Sequence, residues 1–247
     1  MERVLILGAT SAIASEIAAR YARRGARLYL VGRDPAKLTA LCDRLGSTVV
    51  GHARADLDDA AGSAALVHTA LEVLDGLDVA VIAHGLLGHQ ITTEHDWNAA
   101  EQVLRTNLLS PVSLLIPLAN ALQAQGHGHL AVLSSVAGER GRPRNYTYGA
   151  AKGALTIYLQ GLRSRLWRQG IAVSTFKLGP VDTPMTADHA KNPLFATPQA
   201  VARDIVAHID RGQGGAAHLP WYWAPIMSAV RHMPESIFQR LGFLSGR

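Results

Sequence analysis

Tyr148 and Lys152 stand four residues apart in Tyr148-Gly149-Ala150-Ala151-Lys152, the spacing that sets two side chains on one face of a helix. A phenol beside an ammonium is a proton-transfer pair. Ser135 follows the apolar run Leu130-Ala131-Val132-Leu133-Ser134, thirteen residues before Tyr148, so a short loop can bring all three together. The chemistry that uses such a set is reduction of a ketone, where a proton must reach oxygen as hydride reaches carbon. An ammonium ~4 Å away favours phenolate by up to about 4 kcal/mol, enough to bring a phenol of ordinary pKa ~10 close to neutrality. Ser135 would hydrogen-bond the substrate oxygen as charge develops there. Tyr146 and Ser134 are decoys of the same types: Tyr146 lacks a lysine four residues on, and the spacing selects Ser135. Lysine is scarce, with four in the chain, which weighs against coincidence at Lys152.

Alternating elements must position these groups. Strand-like runs occur at Val4–Leu7, Arg27–Val31, Val49–Ala53, Val79–Ala83, Leu130–Ser134 and Val173–Lys177. Between them lie amphipathic stretches such as Ser11–Arg24, where Ile13, Ile17 and Tyr21 recur every four residues. Gly25 sits where a helix needs a left-handed closing residue. Strand and helix in alternation predict a parallel sheet covered on both faces. The expected fold is a single doubly wound, Rossmann-type α/β domain over 1–247. Residues 219–247 are read as a C-terminal aromatic, helical extension.

Ligands in such sheets bind beyond the carboxyl ends of the strands. After the first strand, Gly8-Ala9-Thr10-Ser11-Ala12-Ile13-Ala14 opens a helix. A turn of small residues lets backbone N–H groups face a pyrophosphate; a tight structural connection reads equally well. Ala12 adds a methyl where the backbone should approach phosphate most closely. At the second strand's tip, Gly32 and Arg33 stand where a carboxylate would hold the ribose of NAD, which favours the 2′-phosphate of NADP; a solvated surface arginine is the alternative. Asp34 reads as a helix N-cap with Pro35 at the first helical position. Asp56-Leu57, after the third strand, offers a carboxylate to adenine or caps the next helix.

Ser135, Tyr148-x-x-x-Lys152, the Gly8 turn and Asn107 in Arg105-Thr106-Asn107 together resemble the short-chain dehydrogenase/reductase family, over residues 1 to about 210. The resemblance implies a catalytic set of Asn107, Ser135, Tyr148 and Lys152, with Asn107 holding a water in a proton relay through the lysine. Lys152 would also donate to the nicotinamide ribose. NADP(H) would contact Gly8, Thr10, Ser11, Ala12, Ile13, Arg33, Asp56, Leu57, Ala83, Gly85, Tyr148 and Lys152. Val181 and Thr183, in Leu178-Gly179-Pro180-Val181-Asp182-Thr183, would hold the carboxamide. It also implies a homo-oligomer through helices around 98–124 and 148–169. Three features depart from the family pattern. They are Ala12 with Ala14, Ile82-Ala83-His84-Gly85 in place of paired asparagines, and Leu178 in place of proline. His84 reads as structural, since Tyr148 fills the acid/base role.

Composition bounds the rest. The chain is 48% hydrophobic and 17% charged, which supports a substantial core. One cysteine, Cys42, cannot form an intramolecular disulfide and fits a reducing, cytoplasmic setting. No signal peptide precedes the first strand, and Pro111 and Pro117 interrupt the apolar region Leu108–Leu122, making it a poor membrane span. The net charge of +5 is scattered arginine without a recognition motif, so no nucleic-acid partner is expected, nor any metal site. Arg140, Arg142 and Arg144 alternate in an extended loop and would point to one side, gripping phosphate or carboxylate or resting in solvent. After Pro220-Trp221-Tyr222-Trp223, Ile226, Ala229, Val230 and Met233 recur at helical spacing: a lid, a subunit contact, or a peripheral membrane contact. The turn and tail resemble the bacterial branch reducing polyprenylphosphoryl 2-keto-pentoses, implying a lipid-linked, anionic ketosugar. The alternatives are a soluble ketone or 3-oxoacyl reductase and a non-catalytic NADP-sensing module.

Overall fold

The computed structural model describes residues 1–241, so the last part of the expected 219–247 extension lies outside the described residues. Strand residues alternate between two apolar layers. From β1 (Arg3–Leu7), Val4 and Ile6 face one layer while Leu5 and Leu7 face the other; this period of two is what a strand imposes. β2 (Arg27–Gly32), β3 (Val49–Arg54), β4 (Val79–Ile82), β5 (His129–Ser135), β6 (Ala172–Leu178) and β7 (Gly215–Leu219) complete one sheet in the order β3-β2-β1-β4-β5-β6-β7. Every pairing is parallel. Six strands match the expected runs. β7 is additional: its Gly-Ala-Ala-His-Leu sequence lacks the β-branched pattern and gains its place by pairing with β6.

Helices α1 (Ala12–Ala22), α2 (Pro35–Leu45) and α8 (Pro198–Ile209) bury Ile17, Leu38 and Ile205 on one face. On the other, α3 (Ser63–Leu74), α6 (Ser110–Gln125) and α7 (Tyr146–Leu166) bury Leu74, Leu118 and Leu159. Two shorter helices, α4 (Gln90–His95) and α5 (Trp97–Leu104), lead into α6, and α9 (Trp223–His232) and α10 (Glu235–Phe238) follow β7. The left-handed residue after α1 is Gly25, with φ of 72°, as the sequence implied.

Pro111 and Pro117 do not interrupt the Leu108–Leu122 region. Pro111 lies in the first turn of α6, where the missing N–H has no partner to lose, and Pro117 is accommodated inside the same helix. The continuous helical stretch Trp97–Gln125 is long and apolar enough to cross a membrane by length and composition alone, with mean hydropathy 1.2. Its inner face, through Leu114, Leu115, Leu118 and Leu122, packs on the sheet. Chain order reverses between β1 and β4, so their carboxyl ends open the crevice that holds the site.

Candidate active site

Close backbone approach gathers the proton-transfer residues. A turn at Val136–Glu139 follows β5 and lies directly against α7. A methyl group on Gly149 would fall 2.7 Å from the Ala137 carbonyl oxygen, one on Gly153 2.8 Å from the Gly138 oxygen, and one on Gly138 2.5 Å from the Gly153 nitrogen. These glycines let the helix touch the turn, and Tyr148 and Lys152 are the residues immediately before Gly149 and Gly153. The sequence signal for this contact is Gly149-x-x-x-Gly153, two glycines one helical turn apart.

At the junction, Ser135 Oγ accepts from the Ala137 N–H at 3.1 Å and donates to the Leu178 carbonyl at 3.4 Å. Ser135 and the Tyr148 phenol line the same small cavity. The decoys sit elsewhere. Ser134 is buried against Thr156 at 3.0 Å, and Tyr146 is exposed.

The electrostatics differ from the sequence expectation. Lys152 is buried, its Nζ donating to the Leu133 carbonyl at 3.1 Å and lying 5.9 Å from the centre of the Tyr148 ring. Burial pushes the Tyr148 phenol up to about 12, opposed by the Ser135 hydrogen bond. Burial also lowers the Lys152 ammonium to about 8. Desolvation therefore outweighs attraction between the two, because each loses more water than it recovers in partners. At neutral pH the phenol holds its proton.

Asn107 is fully buried in a π-helical turn, Arg105–Leu109, between α5 and α6. Its side-chain amide donates to the carbonyls of Leu86, at 2.6 Å, and Val103, at 2.8 Å, and its Oδ1 accepts from the Leu86 N–H at 3.2 Å. The side chain is thus spent on fixing Leu86. The water-holding role that the resemblance implies is therefore not open to this amide, and the residue four places on, Pro111, offers the Asn107 carbonyl no N–H. Gly85 lies between these groups: a methyl there would fall 3.0 Å from Asn107 Oδ1 and 3.6 Å from Lys152 Nζ.

His84 occupies the departure from the family pattern and plays a structural part. Ser110 Oγ donates to the Leu57 carbonyl, so it must accept from His84 Nε2–H, 2.7 Å away. That leaves Nδ1 unprotonated, buried and without a partner. Burial, reinforced by the nearby Lys152 charge, lowers His84 to about 3 and keeps the ring neutral. Gly8 sits against this residue with φ of 81°, where a methyl would come within 2.7 Å of the His84 nitrogen. Gly8 is therefore required by packing as well as by turn geometry.

The cofactor side of the crevice is a cavity of about 410 Å³ whose lining includes Gly8, Thr10, Ser11, Arg33, Asp56, Leu57, Ala83 and Gly85. Ala12 lies at the start of α1 and Ile13 lines the adjoining catalytic cavity. Ser11 caps α1, accepting from the Ala14 N–H at 3.3 Å, and so aims the helix amino terminus into the crevice. Asp34 caps α2, accepting from the Lys37 N–H at 3.1 Å with Pro35 following. Asp56 does not cap the next helix. It accepts from the Asp58 N–H at 3.1 Å in its own turn, and α3 begins only at Ser63 with Gly62 before it.

Ser135, Tyr148, Val181 and Thr183 line a second, smaller cavity of about 190 Å³, shared with Arg142, Asn145, Gly179 and Trp223. The Val181 carbonyl already accepts from Thr186 Oγ1 at 2.6 Å. The loop arginines do not share one side. Arg140 donates to the Met233 carbonyl at 2.9 Å and covers the Phe238 ring. Arg142 enters the small cavity, while Arg144 lines another beside Glu94. The inward face of α9 also differs from the expected one: Trp223, Met227 and Val230 are buried against Val136, with Ile226 and Met233 half-buried and Ala229 outside.

Comparison with known proteins agrees with this arrangement. The short chain dehydrogenase profile matches residues 2–193. An uncharacterized oxidoreductase of Mycobacterium tuberculosis is 34% identical over 241 residues, 96% of each chain. An uncharacterized oxidoreductase of Streptomyces coelicolor is 34% identical over 249 residues, covering 96% of this chain and 95% of its own. Levodione reductase superposes with a TM-score of 0.82 at 23% identity, over 91% of this chain and 98% of its own. A Burkholderia cenocepacia short chain dehydrogenase in complex with NADP gives 0.83 at 19% identity, over 98% of this chain and 99% of its own. A profile match across most of the chain, with relatives aligned nearly end to end, places this protein in the short-chain dehydrogenase/reductase family.

Proposed function

We propose that this oxidoreductase reduces a ketone to a secondary alcohol with NADPH, Tyr148 donating the proton. The observation that carries the reading is the meeting of Tyr148 and Ser135 on one cavity at the carboxyl edge of β5, with the Lys152 ammonium buried 5.9 Å from the Tyr148 ring centre. The nicotinamide supplies hydride when bound. Ser135 hydrogen-bonds the carbonyl oxygen, the Tyr148 hydroxyl gives up its proton there, and Lys152 holds positive charge beside the phenolate that results. Lys152 then returns a proton to the phenolate and recovers one from solvent through a water held at the Asn107 carbonyl.

The residues present suit a dinucleotide. Gly8 and Gly85 are places where a methyl would strike neighbouring atoms, leaving backbone rather than side chain at the crevice wall. Arg33 and Lys37 are exposed basic groups lining its outer end, the chemistry that a 2′-phosphate asks for. NADP(H) is therefore the preferred cofactor. Gly8, Thr10, Ser11, Ala12 and Ile13 would hold the pyrophosphate side, and Val181 with Thr183 the carboxamide. The structurally similar Burkholderia cenocepacia short chain dehydrogenase, solved in complex with NADP, supports that preference.

Leu109, Ile116, Ile157 and Trp167 leave apolar surface exposed along α6 and α7, which supports a homo-oligomer closed over those helices. A cytoplasmic location is part of the same reading. The lipid-linked ketosugar draws no support from α9, whose apolar face turns inward onto Val136. That packing supports a role as a lid over the substrate. The deciding experiment follows NADPH absorbance against a panel of ketones, with NADH in parallel. Turnover that prefers NADPH and is lost in Tyr148→Phe supports the reading; turnover that survives Tyr148→Phe overturns it.

A further inference from the structure

The small cavity beside Tyr148 contains a charge without a counter-charge. Arg142 is the one arginine or lysine in its lining, and no carboxylate among the described residues lines it. The Arg142 guanidinium touches Met227 Sδ at 3.4 Å, and its Nε is buried with no acceptor. The nearby carboxylate that acts on it, Glu139, is engaged by Lys177 and by His218 at 3.1 Å. Two further buried polar atoms in the same lining lack partners: Trp223 Nε1, a donor, and Asn145 Oδ1, an acceptor. An unpaired, partly desolvated guanidinium is unfavourable; burial lowers the affinity of Arg142 for its proton. A fold keeps such a group where a ligand completes it.

We infer that Arg142 is the anion anchor of the substrate pocket, so that the carbonyl compound reduced at Tyr148 carries a carboxylate or a phosphate monoester. This rests on the reductase reading above and specifies its substrate class. A guanidinium meets either anion with paired N–H donors. The Trp223 indole N–H adds a third donor, and Asn145 Oδ1 accepts from a substrate hydroxyl. Because the cavity is only about 190 Å³, anion and reacting carbonyl belong to one compact part of the substrate. Trp223 and Met227 lie on α9, so the lid and the anchor are one unit. A methyl on Gly179 would collide with the Trp223 ring, which fixes the indole over the pocket.

The test uses two matched pairs with NADPH: 4-oxopentanoate against its methyl ester, and dihydroxyacetone phosphate against dihydroxyacetone. The charged member of one pair should show the lower KM, and which pair responds separates carboxylate from phosphate. Arg142→Gln should raise that KM about 10- to 100-fold, far more than it changes the neutral partner's KM, and Arg142→Lys should restore part of the difference. Equal KM values within both pairs, or an Arg142→Gln effect common to charged and neutral members, would overturn the anchor while leaving the reductase reading intact. If no ketone is reduced, the reductase reading fails instead. Calorimetric titration of the NADP-loaded protein with acetate and with inorganic phosphate then decides the anchor. Binding weakened by Arg142→Gln supports it; binding that is absent or indifferent to the substitution overturns it. Thermal unfolding of each variant checks that the fold is kept.

Discussion

At the β1–β3 end of the crevice the functional groups are exposed and satisfied. Arg33 and Lys37 reach into solvent, Asp34 caps α2 and Asp56 closes its own turn. At the β5–β6 end they are buried and partly unsatisfied. Lys152 has left water, and Arg142, Asn145 and Trp223 each keep a buried polar atom without a partner. The open end is suited to a ligand whose charge is met at the surface. The closed end is a drier space, where each polar contact counts for more and each misplaced one is expensive. Substitutions at the two ends should therefore fail differently, chemistry at one and selectivity at the other.

The largest effect is expected from Tyr148→Phe, which should lower turnover by about 10²- to 10⁴-fold with NADPH affinity unchanged, read by steady-state kinetics and NADPH fluorescence titration. A non-catalytic sensor would show no such split. Next is Gly149→Ala. Alanine normally favours a helix over glycine by about 1 kcal/mol, but here the added methyl meets the Ala137 oxygen at 2.7 Å. Overpacking of this kind destabilises by about 1–3 kcal/mol, so Tm should fall and kcat with it. If Tm rises instead, the glycine contact does not position Tyr148.

At the open end, replacing Arg33 and Lys37 together with alanine should reduce the preference for NADPH over NADH by about tenfold while kcat with saturating cofactor holds. A fall in kcat would blur the contrast between the ends. The pH dependence is gentler. With Lys152 lowered to about 8 and the phenol raised to about 12, kcat/KM for reduction should be level below about 8 and decline above it as the ammonium loses its proton. Stability should show the opposite limb. Folded His84 stays neutral to about 3, whereas the unfolded ring takes a proton near 6.5. Stability from its neutral burial is present above about 6.5 and lost as pH falls from there toward 3. His129, lowered to about 4, acts in the same sense, so His84→Asn should flatten the acid limb of a denaturant series without abolishing it.

The parts of this site that were legible in the sequence are those encoded locally. Tyr148 and Lys152 share a helical face whatever surrounds them, and six strands announce themselves by apolar runs bounded by turns. What escaped depends on partners distant in sequence. The β7 strand is a run of Gly and Ala that becomes strand only by pairing with β6. The sense of the Tyr148 and Lys152 shifts depends on how completely each is buried, which spacing does not report. Alternation in Arg140-Gly141-Arg142-Pro143-Arg144 implied one shared side, but the segment is not an extended strand. Contacts with α9 and α10 draw Arg140 away, leaving Arg142 alone in the cavity.

The wide turn at Arg105–Leu109 gives one helical stretch two angular phases. An extra residue in a helix rotates everything beyond it by about 100°. Within it, the phase sets Asn107 next to Gly85; downstream, it directs Leu114, Leu118 and Leu122 onto the sheet. Removing a single residue between 105 and 109 would restore uniform winding and make the two phases compete, so that either the leucines lose the sheet or the asparagine loses its neighbours. Shortening the chain there by one position reaches both the core and the chemistry at once, through winding rather than through any one side chain.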